Sequence, residues 1–244
     1  MRFTAGFRLK SVLAAPCLSL FAVATPVSAE WFADLYGGLA YTPRSDVTLV
    51  VRPPGMEADH TFHDLKWDPS GVLGARAGYW FDALPWYGIG LDAFGFNANL
   101  PTQIVDTTIS GVTEPATLQK IDFAIAAIAF DVVRLRYPFL ASPEYPNGRL
   151  QPYVTAGPAL FKVRVTNRGN AELTTRSATD SSMGYKAGGG LSWQLTRDTA
   201  IFGEYRYTHF HAEPVLEGAI TGLRVPMQFD LNTHHLITGV SFRF

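Results

Sequence analysis

The chain has 244 residues, 47% of them hydrophobic and only 17% charged, with 20 Lys and Arg against 21 Asp and Glu. A formal net charge of -1 excludes the basic surface that neutralises nucleic-acid phosphates, so no nucleic-acid partner is expected. Few charges, with 22 Gly and 16 Pro, argue against long helices and against a charged disordered chain, and favour β-structure.

Arg2, Arg8 and Lys10 open the chain, Ser11 to Val27 is apolar and small, and Val27-Ser28-Ala29 precedes Glu30. That is the pattern of a cleaved secretory signal over residues 1–29. The only cysteine, Cys17, lies inside it beside Pro16, a poor lipoprotein acceptor. The expected mature domain, 30–244, loses three positive charges, moves from -1 to -4, and has no disulfide to staple it.

Beyond the signal, no stretch supplies the roughly 18 apolar residues of a membrane helix. Phe123 to Phe130 is short and runs into Asp131. A membrane-inserted form of this chain must therefore be a closed barrel. Alternation predicts eight strands, at about 31–41, 71–82, 86–97, 119–137, 151–166, 183–196, 199–211 and 233–244. Residues 42–70, 98–118, 167–182 and 212–232 read as long polar loops. Asp82 to Pro85 and Arg197-Asp198 read as tight turns, and Pro138 to Leu150 as a looser one. Long and short connections alternate as in an up-and-down barrel of an outer membrane. The expected fold is all-β: an eight-stranded antiparallel up-and-down transmembrane β-barrel in one domain.

Parity sorts each strand into two faces. Leu73, Ala75, Ala77, Tyr79 and Phe81 oppose Gly74, Arg76 and Gly78. Tyr153, Thr155, Gly157, Ala159, Phe161, Val163 and Val165 oppose Lys162 and Arg164. Tyr185, Ala187, Gly189, Leu191, Trp193 and Leu195 oppose Lys186, Ser192 and Gln194 in the same way, and Ile201, Tyr205 and Tyr207 oppose Glu204, Arg206 and Thr208. In lipid the apolar face turns outward. Arg76, Asp92, Asp122, Lys162, Arg164, Lys186, Glu204 and Arg206 are then expected inside, as intermixed ion pairs. Eight strands leave an interior that side chains just fill, which disfavours a porin-like channel. The chain ends on alternate Leu236, Thr238, Val240, Phe242 and Phe244.

That ending resembles the signal by which outer-membrane barrels are recognised by their assembly machinery. Gln151-Pro-Tyr-Val-Thr-Ala-Gly-Pro158, Gly184-Tyr-Lys-Ala-Gly-Gly-Gly-Leu191 and Phe202-Gly-Glu-Tyr-Arg-Tyr-Thr208 resemble strands five to seven of the small outer-membrane barrels related to the OmpA membrane domain. The resemblance implies a monomer in a Gram-negative cell outer membrane, among outer-membrane lipid and lipopolysaccharide. It implies N- and C-termini in the periplasm and a structural or surface-interaction role through the outer loops. Ser45-Asp-Val-Thr-Leu49, Thr61-Phe-His-Asp-Leu-Lys-Trp67, Gly78-Tyr-Trp-Phe81 and Tyr87-Gly-Ile-Gly-Leu-Asp92 resemble barrels labelled lipid A oxidases. That second resemblance implies a lipid A-modifying activity, without a catalytic motif to carry over.

All six histidines fall in one sector: His60 and His63 in the first loop, His209 and His211 on strand seven, His234 and His235 on strand eight. Closure sets the first loop beside strands seven and eight, so these imidazoles, with Asp64 and with Asp59, Glu213 or Asp230, are candidate ligands for a divalent metal on the cell surface. Histidines on surface loops with no metal explain the same pattern. His209-Phe-His-Ala212 has no serine for a deacylase mechanism, and Gly188-Gly-Gly190 lies within a strand, where glycine relieves crowding rather than cradling phosphate.

Overall fold

The computed structural model describes residues 30–51, 58–167, 177–217 and 224–244. The expected signal, 1–29, lies outside them. The described strands in chain order are β1 (Glu30–Tyr41), β2 (Ser45–Val51), β3 (Ala58–Leu65), β4 (Ser70–Trp80), β5 (Tyr87–Asn97), β6 (Gln103–Ile109), β7 (Val112–Leu118), β8 (Ile121–Arg136), β9 (Leu150–Asn167), β10 (Ser177–Gln194), β11 (Thr199–Ala212), β12 (Val215–Glu217) and β13 (Arg224–Arg243).

Eight of them close a ring, β1-β4-β5-β8-β9-β10-β11-β13, with β13 pairing back onto β1 from Phe32↔Arg243 to Tyr41↔His234. Closure leaves these strands no free edge. One rim carries Glu30, Phe244 and the three short turns; it is called the lower rim here. The upper rim carries the long connections.

Those connections are not plain loops. Within 42–70 the strands β2 and β3 pair antiparallel, and 98–118 fold into the hairpin β6–β7. These strands continue the wall above the rim in the order β13-β2-β3-β6-β7. β10 starts at Ser177 rather than 183, and β13 at Arg224 rather than 233, so the last two expected loops are also partly strand. Thr, Val and Ile recur through these segments, and such residues suit a pleated, half-buried surface.

The apolar faces of β4, β10 and β11 turn outward as parity requires, with Leu73 73%, Leu191 56% and Ile201 44% exposed. β9 reverses the expectation along its length: Tyr153, Thr155, Ala159, Phe161, Val163 and Val165 are buried inside, while Val154, Lys162 and Arg164 are exposed on the outer wall. Asp122 of β8 likewise turns outward, alternating with buried Ile121 and Phe123. The same face of β9 turns inward throughout: low down Tyr153 reaches Glu204, and higher up Phe161, Val163 and Val165 fill an apolar interior that leaves the charges outside.

Candidate functional site

The interior has two storeys. In the lower one, Asp34, Asp92, Asp131 and Glu204 meet Arg76, Arg134, Lys186 and Arg206, an equal number of each sign, all buried. Arg76 donates through Nε to Asp34 at 2.8 Å and through Nη1 to Glu204 at 2.9 Å. Lys186 Nζ bridges Asp92 and Asp131 at 2.6 Å each. Arg206 reaches Asp92 and Glu204 at 3.0 Å each. Tyr36 donates to Asp92, and Tyr153 donates to Glu204 at 2.7 Å. Nearer the lower rim, Glu30 takes Arg136 at 2.8 Å and also pairs with Arg243.

Burying one such charge alone is costly, so each lies within ion-pair distance of an opposite charge. Glycine makes room for the aromatic members. A Cβ on Gly74 would overlap the Tyr36 hydroxyl, and one on Gly190 would press on the Tyr153 ring.

The upper storey is aromatic. Phe161 stacks on Phe210 at 4.3 Å, and His235 stands edge-on to Phe96 at 4.9 Å. His235 is fully buried, with its Nε2 3.0 Å from Thr208 Oγ1. Above them Trp67 and Phe229 each lie 5.3 Å from Phe123, and Trp67 Nε1 donates to Ser45 at 2.9 Å. Leu65, Leu100, Leu216 and Leu231 complete this core.

Sequence parity placed Arg76, Asp92, Lys186, Glu204 and Arg206 correctly and missed Asp34, Asp131 and Arg134. A bulge in β8 between Ala129 and Val133 breaks the alternation that links Asp131 to Arg134. With Val132 and Val133 both outward, the two charges three apart share one face.

The outer wall carries two aromatic belts. At the lower rim Trp31 lies 5.0 Å from Tyr79, Phe81 stacks on Tyr87 at 5.6 Å, and Tyr137 meets Phe139 at 4.7 Å. On β10, β11 and β13 a second belt joins Tyr185 to His209 at 5.2 Å and Tyr207 to His234 at 5.4 Å. Between them stand exposed Leu35, Leu91, Val154 and Leu236. An apolar band between aromatic girdles is how a barrel meets a bilayer. The outer membrane protein beta-barrel domain family matches residues 13–244. This chain belongs to that family.

Among solved structures, the barrel is similar to OprG from Pseudomonas aeruginosa, at 15% identity and TM-score 0.54, covering 89% of this chain and 96% of that one. It is also similar to Neisserial surface protein A, at 12% identity and TM-score 0.47, covering 89% and 100%. The outer membrane protease OmpT from Escherichia coli gives 10% identity and TM-score 0.45, covering 93% and 100%. The OprG likeness is one of fold. Curated protein sequences give no match.

The outer-membrane barrel does not gather its histidines. β2 does pair with β13, so the first strand pair lies where closure predicts. His60 sits on β3 opposite Leu49 and Ile109. His63, also on β3, bonds Asp46 at 3.2 Å and Thr108 at 3.0 Å, and Asp64 accepts from Arg44 at 2.6 Å. His209 bonds Asn232 at 2.7 Å and His234 bonds Tyr205 at 2.6 Å, both within the upper belt. His235 points into the barrel instead of standing on the surface, because its neighbour His234 takes the outward side. His211 alone meets two carboxylates, Asp230 at 3.0 Å and Glu213 at 3.1 Å. These carboxylates hold its imidazole above the usual histidine range, the Glu213 hydrogen bond most of all. Among the described residues, no three His, Cys, Asp or Glu side chains converge as a metal site.

Proposed function

We propose that this outer-membrane barrel serves at the cell surface through the folded extension of its upper rim, with both termini and the short turns periplasmic. The observation that carries this reading is the double closure of the interior. An ionic storey and an aromatic storey fill the axis in succession, while the strand pairs β2–β3 and β6–β7 raise the wall beyond it. A filled axis suits a surface or structural role better than diffusion. The alternate outward residues of β13 down to Phe242 are the segment we assign to the barrel-assembly machinery.

Two measurements test the proposal. Planar-bilayer recording should give no large steady conductance. Protease on intact cells should cut within 42–70 or 212–232 before Arg149 or Arg197, and the reverse order would invert the topology.

A second reading is lipid A modification, in which His211, held between Asp230 and Glu213 on the outer wall, would take part. Mass spectrometry of lipid A from cells with and without the protein separates the two. A modified sugar that depends on the protein and is lost in His211→Gln supports the second reading, and identical spectra remove it.

A further inference from the structure

The outer wall is not uniformly convex. A groove enclosing about 890 Å³ crosses β4, β5, β8 and β9, within the roughly 300–1,000 Å³ of small-molecule sites. Two neighbouring cross-strand rows build it. Leu73, Gly95, Ala126 and Lys162 stand side by side, and Asn97, Ala124 and Arg164 form the row above. Glycine and alanine make a low floor. Leu73 stands on one side, and the long stems of Lys162 and Arg164 on the other.

Its height follows from strand geometry. At about 3.3 Å per residue and a tilt of about 35–45°, the climb from Phe81 to Leu73 is about 20 Å, and from Leu150 to Lys162 about 30 Å. The groove thus crosses the upper edge of an apolar band about 25 Å tall. Beneath it lie exposed Ile128 and Leu160, paired with each other. The two cations face outward and pair with no carboxylate among the described residues; the nearby Asp122 pairs with Lys120 at 3.6 Å and has a further partner of its own. An apolar foot, a floor of glycine and alanine and a cationic head match an acyl chain joined to a phosphate, because cations at this height attract anionic headgroups.

We propose that this groove binds one phosphorylated lipid of the leaflet at the upper rim, its phosphate on Lys162 and Arg164 and an acyl chain over Gly95, Ala124 and Ala126. That this leaflet is the outer one rests on the orientation proposed above; the binding does not. Native mass spectrometry of the purified barrel, with diphosphorylated lipid A, dephosphorylated lipid A and inorganic phosphate as separate probes, tests it. The wild type should retain the diphosphorylated lipid about tenfold more than the dephosphorylated one, and should hold no inorganic phosphate. The double variant Lys162→Met, Arg164→Met should fall to the dephosphorylated level, as should Ala126→Phe, which fills the floor. The pair Lys162→Arg, Arg164→Lys should keep the preference. Heat-modifiable mobility identifies folded variants, and if none folds, 0.5 M salt on the wild type should itself erase most of the preference. Equal retention of both lipids by the wild type, undiminished retention in the Met or Phe variants, or a bound mass with inorganic phosphate alone would overturn the proposal. None of these outcomes bears on which rim faces outward.

Discussion

The two storeys of the barrel obey one alternation rule with opposite signs. In the lower storey charge is inside and Leu35, Leu91 and Ile201 face out; in the upper storey Phe161, Val163 and Val165 are inside and Lys162 and Arg164 face out. What differs is the surrounding solvent. Lipid cannot solvate a charge, so within the apolar band the interior takes every ion and neutralises it pairwise. Above the band water solvates the outer face, and burial of apolar surface fills the inside as in a soluble barrel. β9 passes through both regimes within a single strand.

The sharpest way to break the lower storey is Arg206→Met, which strips Asp92 and Glu204 of a shared cation. Breaking a buried pair costs about 3–5 kcal/mol, so the urea midpoint of the refolded protein in lipid vesicles should drop accordingly. A loss below 1 kcal/mol would mean that the ions are not coupled as the geometry requires. Phe161→Ala is the matching cut in the upper storey. It removes the ring stacked on Phe210 and should cost about 3–5 kcal/mol through a cavity, without creating an unpaired charge. The double variant with Arg206→Met should be additive within about 0.5 kcal/mol if the storeys are independent.

The outer wall gives the contrast by height. Leu35→Arg, facing lipid, should destabilise the protein by about 2–4 kcal/mol near mid-bilayer, read in the same urea titration. Lys162→Met, outward but at the upper edge, should stay within about 0.5 kcal/mol. Equal costs at the two positions would place both at one depth and undo the two-regime account.

The smallest effect concerns pH. His211 gains Glu213 and Asp230 on folding, and its affinity for the proton is raised. Its contribution is therefore fully present below the unfolded value, near 6.5, and fades as pH rises through the higher folded value. Its NMR titration should lie above that of His211 in the urea-unfolded chain. Replacement by Gln should flatten the decline in unfolding midpoint above about pH 6.5; a slope unchanged by the substitution would remove His211 from the account.

Period-two alternation, turn spacing and the apolar C-terminal positions are local properties of the residue order, and they specify an eight-strand membrane barrel without any coordinates. They also locate Arg76, Asp92, Lys186, Glu204 and Arg206 inside, because on β4, β5, β10 and β11 these charges lie within the apolar band. The rest depended on distance in space. The bulge after Ala129 hid Asp131 and Arg134, since one extra residue flips parity. The long connections became strands only because β2 finds β13 and β6 finds β3, pairings that residue order does not announce. Histidines that cluster along the chain separate in the fold because strand alternation sends His234 outward and His235 inward. Alternation defines two faces for every strand, but which face is interior is decided by the medium outside it at that height, and the tertiary structure alone sets the height.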